Sequence, residues 1–330
     1  MKSIYPSRGQ KKSYIKWLHD PRVCSIYLVG GKALNLQVLA VKRFPIPPGF
    51  CVTTDAYKFF VKEFDLDRKI AQCVETVNLN NLDQLKMSLG MITGVIENSE
   101  MPALIAKDII QAYHALENLC GKDTTVAIRS SATEEDLPMA SFAGQMATHL
   151  NVRGDKNILE AIQKCWAALF TERAVIYREK HGFKHTDASM GVLIQKMVDA
   201  DKSGVMFTIK PVTKDHNKIV IEANFGLGES VVSSAVTTDT FIVDKQTLEI
   251  LQVDIGSKEI MVVRNPEGGT ITVDTPKEKR NKACLATTEI QKLAEFGRRI
   301  EEHYSSPQDV EWAISGGDIY ILQTRPVTAL

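Results

Sequence analysis

Apolar positions change their period about halfway along the chain, from helical spacing in the first half to alternation in the second. LVGG followed by KALNLQVLAVKR reads as a glycine turn opening a helix, with Leu36 and Ala40 on one face and Leu34, Val38 and Val41 beside it. FPIPPGF stops that helix, since its prolines cannot continue one, and TTDAYKFFVKEF restarts from a threonine cap. Helices follow at about 82–97 and 102–120, the latter with Pro102 in its first turn. VAIRSS predicts a strand and THLNV a second one. Asp155 then caps a long helix, NILEAIQKCWAALFTERAVIYREKHG, which Gly182 ends. Beyond it MGVLIQKMV, SGVMFTI, KIVIEANF, TFIVD and EILQVDI read as strands between turn-rich pieces. TTEIQKLAEFGRRIEEHY is a helix with a capping box from Thr288 to Gln291, and DVEWAISGGDIYILQTRP a hairpin. The expected class is α+β, with a helix-rich part over 1–185 and a strand-rich part over 186–330.

Composition narrows the chemistry. The 330 residues suffice for about two domains with their own cores. Forty Lys+Arg balance forty Asp+Glu, so there is no global field to gather nucleic acid or an anionic membrane, and any phosphate binding is local. The six cysteines stand far apart with no C-x-x-C pair, which points to reduced thiols in a cytoplasmic protein rather than a disulfide framework or a zinc site. No apolar run reaches membrane-spanning length, and the polar, basic N-terminus reads as neither leader nor anchor.

Four stretches could carry chemistry. In Val29-Gly30-Gly31-Lys32, glycines at a helix start expose N–H groups that suit an anion, beside a lysine that could reach phosphate; alone, this reads equally as a plain helix start, and it is not a Walker A loop. Arg129, next to Ser130, Ser131 and Thr133 and with Gly144 across a loop, offers a forked donor to a polyphosphate, or a structural pair for Glu134, Glu135 or Asp136. IEANFGLGE lets backbone come close to a ligand at Gly226 and Gly228, or is an ordinary strand-end turn; Val231 at the third glycine position excludes a dinucleotide fingerprint. In the hairpin, a Gly316-Gly317 loop sets Glu311 and Gln323 on opposite faces, whereas a three-residue Ser315-Gly316-Gly317 loop puts Asp309, Glu311 and Gln323 on one. The second register, with Val310, Trp312, Ile314, Tyr320 and Leu322 on the buried face, creates an oxygen cluster suited to Mg²⁺ carrying a nucleotide.

Taken in order, GGKALNL, PIPPGFCVTTDAY, VAIRSSATEEDLPMASFAGQ, VLIQKMVDADKSGVMFT, IEANFGLGESVV and DVEWAISGGDIYILQTRPVT resemble the N-terminal nucleotide-binding domain of the phosphoenolpyruvate synthase and pyruvate phosphate dikinase family. The resemblance runs from about residue 28 to 328, and RSSA rather than a glycine variant sets it nearer the synthases and the rifamycin phosphotransferases. It implies an ATP-grasp fold, two α+β subdomains with ATP between them. It further implies that Lys32 and Arg129 bind phosphates, with Gly144 and Thr148 on a covering loop. Gln195 would lie beside the adenine and Lys196, Met197 and Val198 along its amino edge. Glu311 and Gln323 would hold Mg²⁺ with Asp309 beside them, and Arg325 would meet the transferring phosphate.

In that family the phosphoryl group passes from ATP to a histidine on a swivelling domain and then to a small-molecule acceptor, leaving AMP. None of the histidines here follows the glycine pair that precedes such a phosphohistidine, so the resemblance implies a carrier elsewhere, as a domain or as a subunit in trans, similar to the split phenylphosphate synthase. Ser234 and Thr238 stand where the family usually has glycine and proline. Two other classes fit part of the pattern: a carboxylate–amine ligase, which would release ADP, and a sensor that binds ATP without transferring phosphate.

Overall fold

The computed structural model describes residues 13–75, 82–133 and 147–327. The chain divides into two compact units, Met1–Gln37 with Pro48–Lys196, and Val38–Pro47 with Met197–Leu330.

The first unit runs β1 (Ile15–Trp17), α1 (Ile26–Val41, entering from this unit), β2 (Gly49–Val52), α2 (Thr54–Glu63), α3 (Leu66–Glu75), α4 (Leu82–Asn98), α5 (Ala103–Cys120), β3 (Val126–Ala132), β4 (Thr148–Val152), α6 (Asp155–Ala167), α7 (Glu172–His181) and β5 (Met190–Lys196). Its sheet has the order β1-β2-β5-β3-β4 and every neighbouring pair is antiparallel. The helices bury their apolar faces in one core with the sheet, centred on Trp166, whose ring centroid lies 5.1 Å from Phe60 and 5.8 Å from Tyr57. The buried face of α1 runs through Ala33, Leu36, Gln37 and Leu39, while Val41 is exposed.

The long helix expected over 156–181 is two helices. After a 3₁₀ turn at Ala168–Phe170, Thr171 is extended and its hydroxyl accepts the Ala174 N–H at 3.4 Å, so a fresh cap interrupts the period before Gly182 ends α7 in the left-handed conformation. Arg178, buried on α7, donates Nε to His185 Nδ1 at 3.1 Å, and His185 Nε2 lies 2.7 Å from Glu179. The boundary expected at 185/186 separates β5 from β2 and β3, the strands it pairs with in the first unit.

The second unit runs β6 (Lys202–Phe207), β7 (Lys218–Phe225), α8 (Glu229–Val232), β8 (Asp239–Asp244), β9 (Ile250–Asp254), β10 (Ile260–Arg264), β11 (Thr270–Asp274), α9 (Lys277–Arg280), α10 (Thr287–Tyr304), β12 (Gln308–Ser315) and β13 (Asp318–Pro326). The main sheet is antiparallel with the order β13-β12-β6-β7-β8-β9, and β10-β11 is a separate two-stranded ribbon. Helix α10 covers the face carrying Met206: a Cβ on Gly297 would lie 2.8 Å from the Met206 sulfur. The expected capping box is two residues out of place, since Glu289 accepts the Ala286 N–H at 2.7 Å. A fully buried ion pair, Lys258 with Asp239, ties the start of β8 to the segment between β9 and β10. Among the described residues no helix is long and apolar enough to cross a membrane, and Cys24, Cys51, Cys120, Cys165 and Cys284 are free thiols.

Candidate functional site

Two groups of predicted residues assemble, one in each unit. In the first, α1 is interrupted at Gly30, whose φ of 77° and ψ of 172° no helix contains, and it restarts at Gly31 and Lys32. The restart abuts the end of β3. A Cβ on Gly30 would stand 1.9 Å from the Ser131 carbonyl oxygen and 2.5 Å from its hydroxyl. Only glycine fits. A second close approach backs the first: a Cβ on Gly191 of β5 would meet the Val29 carbonyl oxygen at 2.5 Å. Lys32 Nζ donates to the Ser130 carbonyl at 3.3 Å. Lys32 and the Arg129–Ser131 segment, 98 positions apart in the sequence, therefore form one piece. Arg129 is half-buried and faces Thr148 of β4 and Leu193 of β5 in register, which sets Arg129 and Thr148 on the same side of the sheet.

The hydroxyls beside Arg129 are engaged within the fold. Ser130 Oγ donates to the Ala147 carbonyl at 3.2 Å, Ser131 Oγ accepts the Ala33 N–H at 3.1 Å, and Thr133 Oγ1 donates to the Ser189 carbonyl at 3.3 Å. Hydroxyls at and beside the end of β3 thus satisfy backbone groups of neighbouring segments. Gly144 and the acidic run Glu134-Glu135-Asp136 lie outside the described residues. Gln195 is buried on the central strand β5 between Gly49 and Ala127, Lys196 N donates to the Pro48 carbonyl at 2.8 Å, and the division between units falls between Lys196 and Met197. Met197 and Val198 are buried in the segment that follows.

In the second unit the hairpin has the two-residue loop, with Ser315 opposite Asp318, rather than the three-residue loop the sequence favoured. Gly316 and Gly317 both have positive φ, 57° and 87°, the geometry of a tight hairpin turn. By itself that register would part Glu311 from Gln323. A β-bulge between Trp312 and Glu311 absorbs Leu322, and beyond it Glu311 pairs with Gln323 and Asp309 with Arg325. All four thus share a face, by a device the sequence reading did not foresee. The two-residue loop also reverses the apolar assignment, because Ile319 and Ile321, not Tyr320 and Leu322, join Trp312 and Ile314 on the buried side.

The face extends across the sheet. Glu311 pairs with Val205 and Val205 with Glu222, which brings Glu222 of β7 into the row of Glu311 and Gln323. Arg325 binds one Asp309 oxygen through Nε at 2.9 Å and Nη2 at 2.8 Å, and the other, Oδ1, is buried without a hydrogen-bond partner among the described residues. Burial pushes the Asp309 carboxyl up, opposed by Arg325 and reinforced by Glu311; burial and then the Asp309 charge push Glu222 up as well. Sequence reasoning missed Glu222 as part of this face, although a lone carboxylate inside the apolar run KIVIEANF was its signal.

An orphaned buried carboxylate oxygen, a second carboxylate and an amide on one face make a hard oxygen donor set, which fits Mg²⁺. Among the described residues no three His, Cys, Asp or Glu side chains are gathered closely enough to enclose a metal, so the fit is to an ion that keeps water or phosphate oxygens for its remaining positions. The IEANFGLGE turn belongs elsewhere: a Cβ on Gly226 would lie 2.3 Å from the Val262 carbonyl oxygen, and Leu227 N donates to that oxygen at 2.8 Å. What its backbone approaches closely is the β10 ribbon.

Residues 26–330 match the sequence family described as pyruvate phosphate dikinase, AMP/ATP-binding domain. The chain is 44% identical over 99% of its length to a probable phosphoenolpyruvate synthase of Methanocaldococcus jannaschii, covering 28% of that protein. It is 45% identical over 98% of its length to another from Methanothermobacter thermautotrophicus, covering 47%. Against the rifampicin phosphotransferase of Bacillus subtilis it is 38% identical over 96% of its length, covering 36%. The chain thus spans less than half the length of these relatives. A D-alanine–D-alanine ligase structure from Helicobacter pylori matches 70% of this chain, and 54% of its own, at 13% identity with a TM-score of 0.29, a likeness that carries no weight for fold or function.

Proposed function

Because this chain belongs to the pyruvate phosphate dikinase AMP/ATP-binding domain family, we propose that it is the ATP-binding, phosphoryl-donating part of a phosphoenolpyruvate synthase-like enzyme, built as an ATP-grasp fold. The observation that carries the reading is the pairing of Glu311 with Gln323 and Asp309 with Arg325 on one face of the hairpin, produced by the bulge at Leu322.

On this reading Lys32 and Arg129 hold phosphate oxygens, Arg129 with a planar fork suited to them. Thr148 borders that site, and Gln195 with the Lys196–Val198 segment borders the adenine. Glu311 and Gln323 would hold Mg²⁺, Asp309 orienting Arg325 towards the transferred group. Mg²⁺, when bound, would neutralise charge on the phosphate oxygens. Phosphoryl transfer asks mainly for positioned cations, and these residues supply them. The acceptor is a histidine of a swivelling domain or partner subunit; it takes the β-phosphoryl group while AMP leaves, and the γ-phosphoryl group passes to water or inorganic phosphate. Pyruvate, a rifamycin or a phenol would be the final acceptor, bound elsewhere.

The test is incubation with Mg²⁺ and β-labelled ATP in a host-cell extract, followed by a search for acid-labile label on a polypeptide. Label that depends on Arg129, lost in folded Arg129→Ala, supports transfer. An active Arg129→Ala protein would sink the assignment, and ATP binding with no label on any polypeptide would leave a nucleotide-binding module instead.

A further inference from the structure

We propose that Ser131 is a positioning residue for Lys32, an inference that rests on the nucleotide-binding reading above. Interrupting α1 at Gly30 creates a new helix start with its own unsatisfied N–H groups. At an ordinary start the residue before the first turn supplies a side-chain acceptor to the third N–H of that turn. Gly30 has no side chain and cannot do so. The acceptor comes instead from across the sequence: Ser131 Oγ takes the Ala33 N–H at 3.1 Å, which is the third N–H of the restarted turn.

The cap is borrowed from the strand that carries Arg129. Ser131 is fully buried and held in register against Gly191 of β5, so its hydroxyl is a fixed point and not a mobile surface group. Ser131 and Arg129 stand two residues apart on β3 and project to the same side of the sheet. Ser130, between them, receives the Lys32 ammonium on its backbone carbonyl at 3.3 Å. The turn bearing Lys32 is therefore pinned at two adjacent residues of β3, once through the side chain of Ser131 and once through the backbone of Ser130. Remove the Ser131 hydroxyl and one pin is lost. The Ala33 N–H is left without an acceptor in a buried setting, and the turn is free to rotate Lys32 away from its place beside Arg129. The bland alternative is that Ser131 merely satisfies the core. The two roles differ in one respect: a positioning residue acts through Lys32, and a structural one does not need it.

The experiment is a double-mutant cycle on ATP affinity, measured by titration calorimetry on the full chain for wild type, Ser131→Ala, Lys32→Ala and the double variant. Thermal melting without nucleotide confirms that each is folded. Ser131→Cys runs in parallel, because it nearly keeps the volume while replacing a strong acceptor with a weak one, and so guards against a variant that fails to fold. Ser131→Ala and Ser131→Cys should each weaken ATP binding about fivefold when Lys32 is present, the fold-change corresponding to roughly 1 kcal/mol for a lost helix cap. In the Lys32→Ala background the same changes should weaken it less than about twofold. Equal losses in both backgrounds would overturn the proposal, as would wild-type affinity in Ser131→Cys. A wild-type chain that binds no ATP would overturn the nucleotide-binding reading itself, an outcome recognisable before any variant is made.

Discussion

Asp239→Asn in the second unit is a near-isosteric change with a large expected cost. Asp239 and Lys258 are both fully buried, and the carboxylate does more than balance the ammonium. Its Oδ1 accepts the Gly256 N–H at 3.0 Å as well as Lys258 Nζ, and its Oδ2 accepts the Cys284 N–H at 2.7 Å. Asparagine has one oxygen, so its amide must turn a donor towards one of these groups. A buried N–H left unsatisfied costs about 1–3 kcal/mol. The stranded ammonium, left with the Gly256 carbonyl at 2.9 Å, adds about 3–5 kcal/mol. The sum, roughly 4–8 kcal/mol, rivals the whole stability of many domains. Adding Lys258→Met removes the stranded charge but not the unsatisfied N–H, so the double variant should recover about 3–5 kcal/mol and remain about 1–3 below wild type. Urea unfolding followed by Trp312 fluorescence, with Trp17 and Trp166 replaced by phenylalanine, reports the second unit alone, since the chain has three tryptophans. A single variant within about 0.5 kcal/mol of its parent, or a double variant no more stable than the single, would refute the reasoning.

Three further outcomes follow from the geometry. Glu311→Gln should weaken Mg·ATP binding about tenfold or more while leaving metal-free ATP nearly unchanged, and equal weakening of both would return Glu311 to a structural role. His185 is held neutral by burial, outweighing the opposing pull of Glu179 and helped by the Arg178 guanidinium, so its folded pKa lies below its unfolded one. The stability this contributes is present above about pH 6.5 and is lost as pH falls through the folded value; His185→Gln should flatten the fall of the urea midpoint below about pH 6.5, and an unchanged slope contradicts this. Gly226→Ala, at a φ of 75° and against the Val262 carbonyl, should lower the Trp312-reported stability by about 1–3 kcal/mol while leaving ATP affinity intact, and a selective loss of affinity would restore a ligand role for that turn.

Element types were legible where periodicity was strong. KIVIEANF alternates cleanly and TTEIQKLAEFGRRIEEHY shows a helical period, and both fold as read. Short pieces escaped: IKW and GFCV are too brief to show a period, and the exposed ribbon of β10 and β11 has little apolar patterning to detect. The placement of the candidate site residues was not legible. The single-residue slip at Leu322 decides whether Glu311 and Gln323 meet, and a bulge leaves no mark in the local pattern because it is set by pairing with the neighbouring strand. The Ser131 cap was equally hidden. Helix-capping rules look at the residue just before the helix, and here the acceptor lies 98 positions away.

That separation also bears on how the protein is made. The turn carrying Lys32 finds no acceptor at its Ala33 N–H until Ser131 has been synthesised, and Val29 awaits Gly191 later still. At roughly 5–20 residues per second, the first interval lasts about 5–20 s on the ribosome. Through that interval the nascent chain holds Gly30 and Lys32 without the strand that caps their turn. If Lys32 holds phosphate as proposed, a half-made chain would give a nucleotide nothing to grip there, and binding would signal that the first unit has been completed.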